Sequence, residues 1–143
     1  MIITQLSAFI ENKPGRLFAA VKVLADAKID IRALSLADTD EYGVVRLIVD
    51  KPEEARGVLK ESGIAAKLNH VVAVAMNDRP GGAVEVLGVL GDAGLNIEYI
   101  YACVGHLSGK ALMVIRTDDY ERTEKVLAQN GFADVDPSDV YKL

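Results

Sequence analysis

Apolar residues crowd the stretch from Ile2 to Ile10, which is rich in β-branched side chains and too short for a typical helix. It reads as a largely buried strand. Glu11-Asn12-Lys13-Pro14-Gly15 then breaks the run with turn-forming residues. From Gly15 the residues Leu17, Phe18, Val21, Leu24 and Ala25 recur at helical spacing, with Lys22 and Asp26 on the other face. This helix should stop near Ala27-Lys28. Ile29 to Ala37 and Tyr42 to Val49 read as a hairpin around the polar turn Asp38-Thr39-Asp40-Glu41. Pro52 opens a second helix, Glu53 and Glu54 suit the positive end of its dipole, and Ser62-Gly63 closes it. Ile64 to Leu68 leads to a further strand.

The second half predicts the same order. Val71 to Met76 is strand, Gly81 to Ala93 helix, Leu95 to Val104 strand, and Gly105-His106-Leu107-Ser108-Gly109 a turn. Ala111 to Thr117 is strand, a helix runs from about Tyr120 to Asn130 and ends at Gly131, and Phe132 to Val135 remains for a last strand. Ala65 to Ala75 can hold the last strand of one half and the first of the next, with only Asn69-His70 between. No linker rich in Gly, Pro or Ser separates the halves. Each is β-α-β-β-α-β, the split unit of ferredoxin-like folds, so the expected class is α+β with antiparallel sheets and helices on one face.

The residues repeat as well as the pattern. Asn12-Lys13-Pro14-Gly15-Arg16-Leu17 is echoed by Asp78-Arg79-Pro80-Gly81-Gly82-Ala83, 66 positions later. At the same step Leu24 answers to Leu90, Ala27 to Ala93, Ile29-Asp30-Ile31 to Leu95-Asn96-Ile97, and Gly43 to Gly109. Val58 to Ile64 then matches Val126 to Phe132 at a step of 68, which places two extra residues beyond Gly109. A twofold repeat implies a pair of domains, 1–68 and 69–143, and not a solenoid. Halves of about 70 residues lie near the lower limit for an independent core, so they should pack on each other or on a second chain.

Composition narrows the classes. Half of the 143 residues are hydrophobic and 26% charged, as in an ordinary soluble protein. A net charge of −5 gives no basic face for nucleic acid. One cysteine, Cys103, excludes an intrachain disulfide and argues against a Cys-rich zinc site. No signal-peptide pattern and no apolar run near the ~18 residues of a membrane span is present, so the expected compartment is the cytoplasm.

The strand, Pro-Gly turn and helix start form a plausible anion site, because the first N–H groups of a helix lack internal partners and its dipole favours negative charge. Gly15 and Gly81 leave room for a ligand to approach the backbone. The bland reading is a helix-starting turn. Asp30 and Asn96 change the picture, since each follows eighteen residues after Asn12 and Asp78 at the start of strand two. That start should lie beside the first turn or beside its counterpart in a neighbouring unit. Each copy thus carries one amide and one carboxylate, in reversed order. Cys103-Val104-Gly105-His106 invites a metal or thiol reading, but a buried thiol at a strand end explains it as well. Two histidines and one cysteine support neither a metal site nor a catalytic triad. Tyr99 and Tyr101 alternate along strand two and suit packing or the wall of a pocket.

The pattern Asn-x-Pro-Gly-x-Leu, a helix, then (Leu/Ile)-(Asn/Asp)-Ile resembles the ACT domain, a small regulatory module that binds amino acids. The resemblance covers essentially the whole chain as two tandem copies. It implies an amino acid held between two ACT units, by the strand-to-helix loop of one and strand two of the other. By position these are Asn12, Pro14, Gly15 and Arg16 with Asp30, and Asp78, Pro80, Gly81 and Gly82 with Asn96. Asp78 and Gly82-Ala83 depart from the usual pattern, which sets the two sites apart. No catalytic residue, cofactor or metal is implied. The expected protein is a non-catalytic amino acid sensor, forming a homo-oligomer such as a dimer and acting on a partner enzyme of amino acid metabolism. The alternatives are an enzyme or metal-responsive protein on the same fold, or a structural adaptor. Strand two, Ile29 to Ala37 and Leu95 to Val104, is an edge strand without protecting charges or prolines. Units should therefore join through it, within or between chains.

Overall fold

The computed structural model describes residues 1–38, 40–104 and 109–141, with the side chain of Asp38 also left out. The predicted turn at Gly105 to Ser108, with His106, and Thr39 lie outside the described residues. The chain runs β1 (Ile2–Glu11), α1 (Arg16–Asp26), β2 (Ile31–Asp38), β3 (Tyr42–Val49), α2 (Pro52–Glu61) and β4 (Ala66–Asn77). It continues as α3 (Gly82–Asp92), β5 (Ile97–Ala102), β6 (Lys110–Thr117), α4 (Tyr120–Gln129) and α5 (Pro137–Tyr141). Two compact units result. One is Thr4–Asn69, and the other combines His70–Leu143 with Met1–Ile3.

The N-terminal unit has the strand order β2-β3-β1, with the start of β4 beside β1. Phe9 donates its N–H to the carbonyl of Ala65 at 2.9 Å to begin that pairing. Leu6, Ala8 and Ile10 of β1 and Val45, Leu47 and Val49 of β3 turn one face toward Ala20 and Leu24 of α1 and Ala55 and Leu59 of α2. The C-terminal unit builds the same core from Val72, Val74, Met76, Ile115, Val86, Leu90 and Leu127. Alternation along the strands and spacing along the helices put these residues on one side, as expected.

Three sequence expectations are corrected. Phe132 to Val135 forms no strand. The place beside β4 is taken instead by the N-terminus, where Met1 and Ala73 exchange backbone bonds of 3.0 and 2.8 Å and Ile2 donates to Glu124 Oε1 at 3.0 Å. That edge is then satisfied and gives Phe132–Val135 nothing to pair with. The chain instead enters α5, which Asp136 starts by accepting from the N–H and Oγ of Ser138. Second, β4 is one strand of 12 residues with no break at Asn69-His70. Third, the extra residues lie before Gly109. Leu6 faces Leu47, and Val72 faces Ile115, so β6 is already displaced by 68 while β4 is displaced by 66. Gly43 therefore corresponds to Ala111, and the insertion falls in the β5–β6 connection.

Candidate ligand site

Each unit turns from its first strand into its first helix by the same hydrogen bonds. Asn12 donates its N–H to Glu41 O at 2.9 Å, Lys13 to Glu11 O at 2.9 Å, and Arg16 to Lys13 O at 3.3 Å. Their counterparts are Asp78 to Gly109 O at 3.0 Å, Arg79 to Asn77 O at 3.0 Å, and Gly82 to Arg79 O at 2.9 Å. Gly15 and Gly81 cap the helices in the left-handed region, with φ 81° and 84° and no side-chain cap. A Cβ at either would meet nothing within 4 Å, so the space is open but the backbone favours glycine. A Gly15→Val or Gly81→Val exchange would thus strain the turn as well as crowd a ligand.

The loops differ in what stands before the helix. The first turn of α1 carries no acidic residue; among the described residues Leu17 and Phe18 in α1, like Ala83 and Glu85 in α3, donate to no carbonyl ahead of the helix, while Ala19 donates to Gly15 O at 3.0 Å. In α3 the N–H of Val84 is taken by Gly81 O at 3.0 Å. Glu85, where the first copy has Ala19, pairs with Arg79 and accepts from Asn77 Nδ2 at 3.3 Å. The second loop thus meets its helix dipole with its own carboxylate, and the first does not. Sequence reasoning passed over Glu85, although the Ala19–Glu85 mismatch in the repeat signals it. Gly82 is buried, and a Cβ there would fall 1.9 Å from Asn77 O. Close packing of the loop on its own strand accounts for that glycine.

Asn12, Pro14, Gly15 and Arg16 share one exposed loop, and Asp78, Pro80 and Gly81 the other, with Gly82 buried beneath it. Asp30 and Asn96 do not join the loop of their own unit. Glu11 faces Tyr42 at one end of the sheet, while Ile31 faces Val49 at the other. Eight residues of β2 at ~3.3 Å each put Asp30 about 25 Å from Asn12. Asp30 there pairs with Arg32 at 3.0 Å, and its N–H donates to Asp50 Oδ1 at 2.9 Å rather than to a loop residue. The same holds for Asn96, since Ile97 faces Thr117 and Asn77 faces Lys110. Of the two placements expected for the start of strand two, the antiparallel register excludes the one beside the turn of its own unit.

Beside the first loop lies a cleft of about 70 Å³ lined by Asn12, Lys13, Leu17, Leu36 and Gly43. That is well below the roughly 300 Å³ at which pockets hold small molecules, too little for an amino acid without a further wall. Cys103 is buried, and burial pushes its thiol up to about 11, so it is protonated at neutral pH and a poor nucleophile. Among the described residues no group of His, Cys, Asp and Glu is placed to hold a metal ion, and no helix is long and apolar enough to cross a membrane.

A family model described as an ACT domain pair matches residues 1–143. Among solved structures, protein BT0572 from Bacteroides thetaiotaomicron is similar at 36% identity and a TM-score of 0.91, covering 100% of this chain and 98% of that one. The ligand-free regulatory subunit of aspartate kinase from Thermus thermophilus is similar at 17% identity and TM-score 0.65, over 92% of this chain and 97% of that one. The corresponding subunit from Thermus flavus gives 17% and 0.62, over 91% and 95%. No curated protein matches the chain.

Proposed function

Since the chain belongs to the ACT domain pair family, we propose that it is a non-catalytic, cytoplasmic amino acid sensor whose ligand binds at the loop after β1. The observation that carries this reading is the unshielded start of α1. Its free N–H groups and dipole suit the carboxylate of a zwitterion, and Asn12 offers both donor and acceptor chemistry to the rest. Lys13 and Arg16 add positive charge at the same loop.

The missing wall is another copy of the chain. β2 and β5 are each bonded to one strand only, β3 and β6, among the described residues. Leu34 and Leu36 of β2 are 40% and 47% exposed, and Ile100 of β5 is 38% exposed. Phe18 of α1 and its counterpart Val84 of α3 are exposed as well. Open edges with apolar flanks favour pairing with a second copy. Antiparallel pairing reverses the ends of the strands, so it carries Asp30 or Asn96 of one copy to the loop of the other. Joining β2 to β5 would close Asn12 with Asn96 and Asp78 with Asp30, one amide-rich site and one acid-rich site. By likeness to the Thermus subunits, the liganded dimer would be read by a partner enzyme of amino acid metabolism.

Titrating the purified chain calorimetrically against the twenty amino acids tests the reading. Saturable binding of at least one, weakened by Asn12→Ala, is expected; no binding by any of them would overturn it.

A further inference from the structure

A larger cleft opens on the other side of the same loop, within the N-terminal unit. It measures about 400 Å³ and is lined by Phe9, Glu11, Arg16, Tyr42, Gly63 and Ile64, among others. That is the size of pockets that hold small molecules. It exists because β4 begins too late to cover β1. With Phe9 bonded to Ala65, the antiparallel register places Gly63 opposite Glu11. Gly63 belongs to the turn that ends α2, where Ile64 donates to Leu59 O at 2.9 Å. Strand alternation points the N–H of Glu11 the same way as that of Phe9, into this gap.

The lining has the parts of an amino acid site. Arg16 is exposed and lines the cleft together with Glu11, supplying a cation that matches a carboxylate. Glu11 itself is engaged by Lys13 at 2.9 Å, which with Arg16 holds its carboxyl below the ordinary value. At the end of α2 the carbonyls of Val58, Leu59 and Lys60 are taken by the N–H groups of Ser62, Gly63 and Ile64, so among the described residues those of Glu61 and Ser62 are the acceptors left for an ammonium group. Phe9 and Tyr42 are 39% and 56% exposed and share the sheet face opposite Leu6, Ala8 and Ile10, with Lys67 Nζ 5.6 Å from the centre of the Phe9 ring. The repeat supplies an internal control. At the positions of Phe9, Glu11, Arg16, Ala19 and Tyr42, the second copy has Ala75, Asn77, Gly82, Glu85 and Lys110. Neither ring nor Arg16 has a like residue at its position there, Lys110 and Phe132 stand in place of Tyr42 and Ile64, and Met1–Ile3 occupy the edge that Ala65 meets in the first copy.

We infer that this cleft is a second binding site, sharing Arg16 with the loop site and otherwise separate from it, present in the N-terminal unit alone, for an amino acid with an aromatic side chain. Its carboxylate meets Arg16 and the Glu11 N–H, its ammonium meets the end of α2, and its ring lies on Phe9 and Tyr42.

The test is a titration of the full chain with L-phenylalanine, with L-alanine as control, followed by amide and methyl NMR shifts. Expected is saturable binding of L-phenylalanine that shifts Ala19 and Ala65, both in the cleft wall. Phe9→Ala and Tyr42→Thr, both absent from the loop site, should each weaken it about tenfold, the value of a stacked ring. Three results would overturn the inference: no binding of L-phenylalanine, equal binding of L-alanine with the same shifts, or shifts confined to Asn12 and Gly43. The last would leave the loop site standing, and loop binding of another amino acid with no response at Ala19 and Ala65 would separate the two readings.

Discussion

Lys28 and Gly94 hold the same position in the two copies, one residue before the buried Ile29 and Leu95, and both adopt a left-handed backbone, φ 56° and 69°. The turn needs that conformation so that Ile29 and Leu95 can donate to Leu24 O and Leu90 O at 3.0 Å. A side chain makes it costly by ~1–2 kcal/mol. Glycine removes that cost but adds ~0.4–1 kcal/mol of unfolded-chain entropy. Lys28→Gly should therefore stabilise the protein by about 0.5–1 kcal/mol in urea denaturation. A loss of stability would mean that the bond from Lys51 Nζ to Lys28 O, at 3.4 Å, depends on more than the backbone.

Helix α3 offers a contrast between two glycines. A Cβ at Gly82 collides with Asn77 O, whereas one at Gly88 meets nothing within 4 Å. Gly82→Ala should cost about 1–3 kcal/mol by forcing the loop off its strand. Gly88→Ala should gain about 1 kcal/mol from helix propensity. Thermal unfolding of both variants checks the opposite signs.

Met1–Ile3 complete the sheet of the C-terminal unit, and residues 4 to 11 serve the N-terminal one. Deleting Met1–Ile3 removes the carbonyl that the Ala73 N–H bonds at 2.8 Å. Hydrogen exchange at Ala73 should accelerate sharply, while Phe9, bonded to Ala65, keeps its protection. Unchanged exchange at Ala73 would show that another segment takes the edge.

The two loops should bind unequally. Asn12→Ala should weaken amino acid binding about ten- to a hundred-fold, the worth of a hydrogen bond to a charged group. Asp78→Ala should do much less, because Glu85 already occupies the start of α3. Calorimetry decides between them, and equal losses would rule out the asymmetry.

Cys103 gives an alkaline signature. Its folded pKa is raised from 9.0 to about 11 by burial. The unfolded thiol ionises first, so its contribution to stability is present below 9.0 and declines as pH rises toward about 11. Cys103→Ala should remove this part of the alkaline loss, seen as a flatter stability curve relative to the parent protein over that range.

The sequence by itself determined the two-copy layout, the βαββα order shared by both copies and the two Pro-Gly turns. These are local or periodic features: Leu24 and Leu90 sit at helical spacing, and Gly15, Gly63, Gly81 and Gly131 all take the positive φ their turns demand. The tertiary structure decided which segment covers β4, where the two extra residues fall, and which end of the sheet receives Asp30 and Asn96. Those depend on pairing between distant residues. An open strand edge accepts any extended segment that satisfies its N–H and C=O groups, so Met1–Ile3 can replace Phe132–Val135 without a mark in local pattern. Register likewise sets Ile31 against Val49, and that places Asp30 far from Asn12 although only eighteen residues separate them along the chain. The shielding of α3 by Glu85 is of the same kind, a side-chain contact across a turn that spacing alone does not specify.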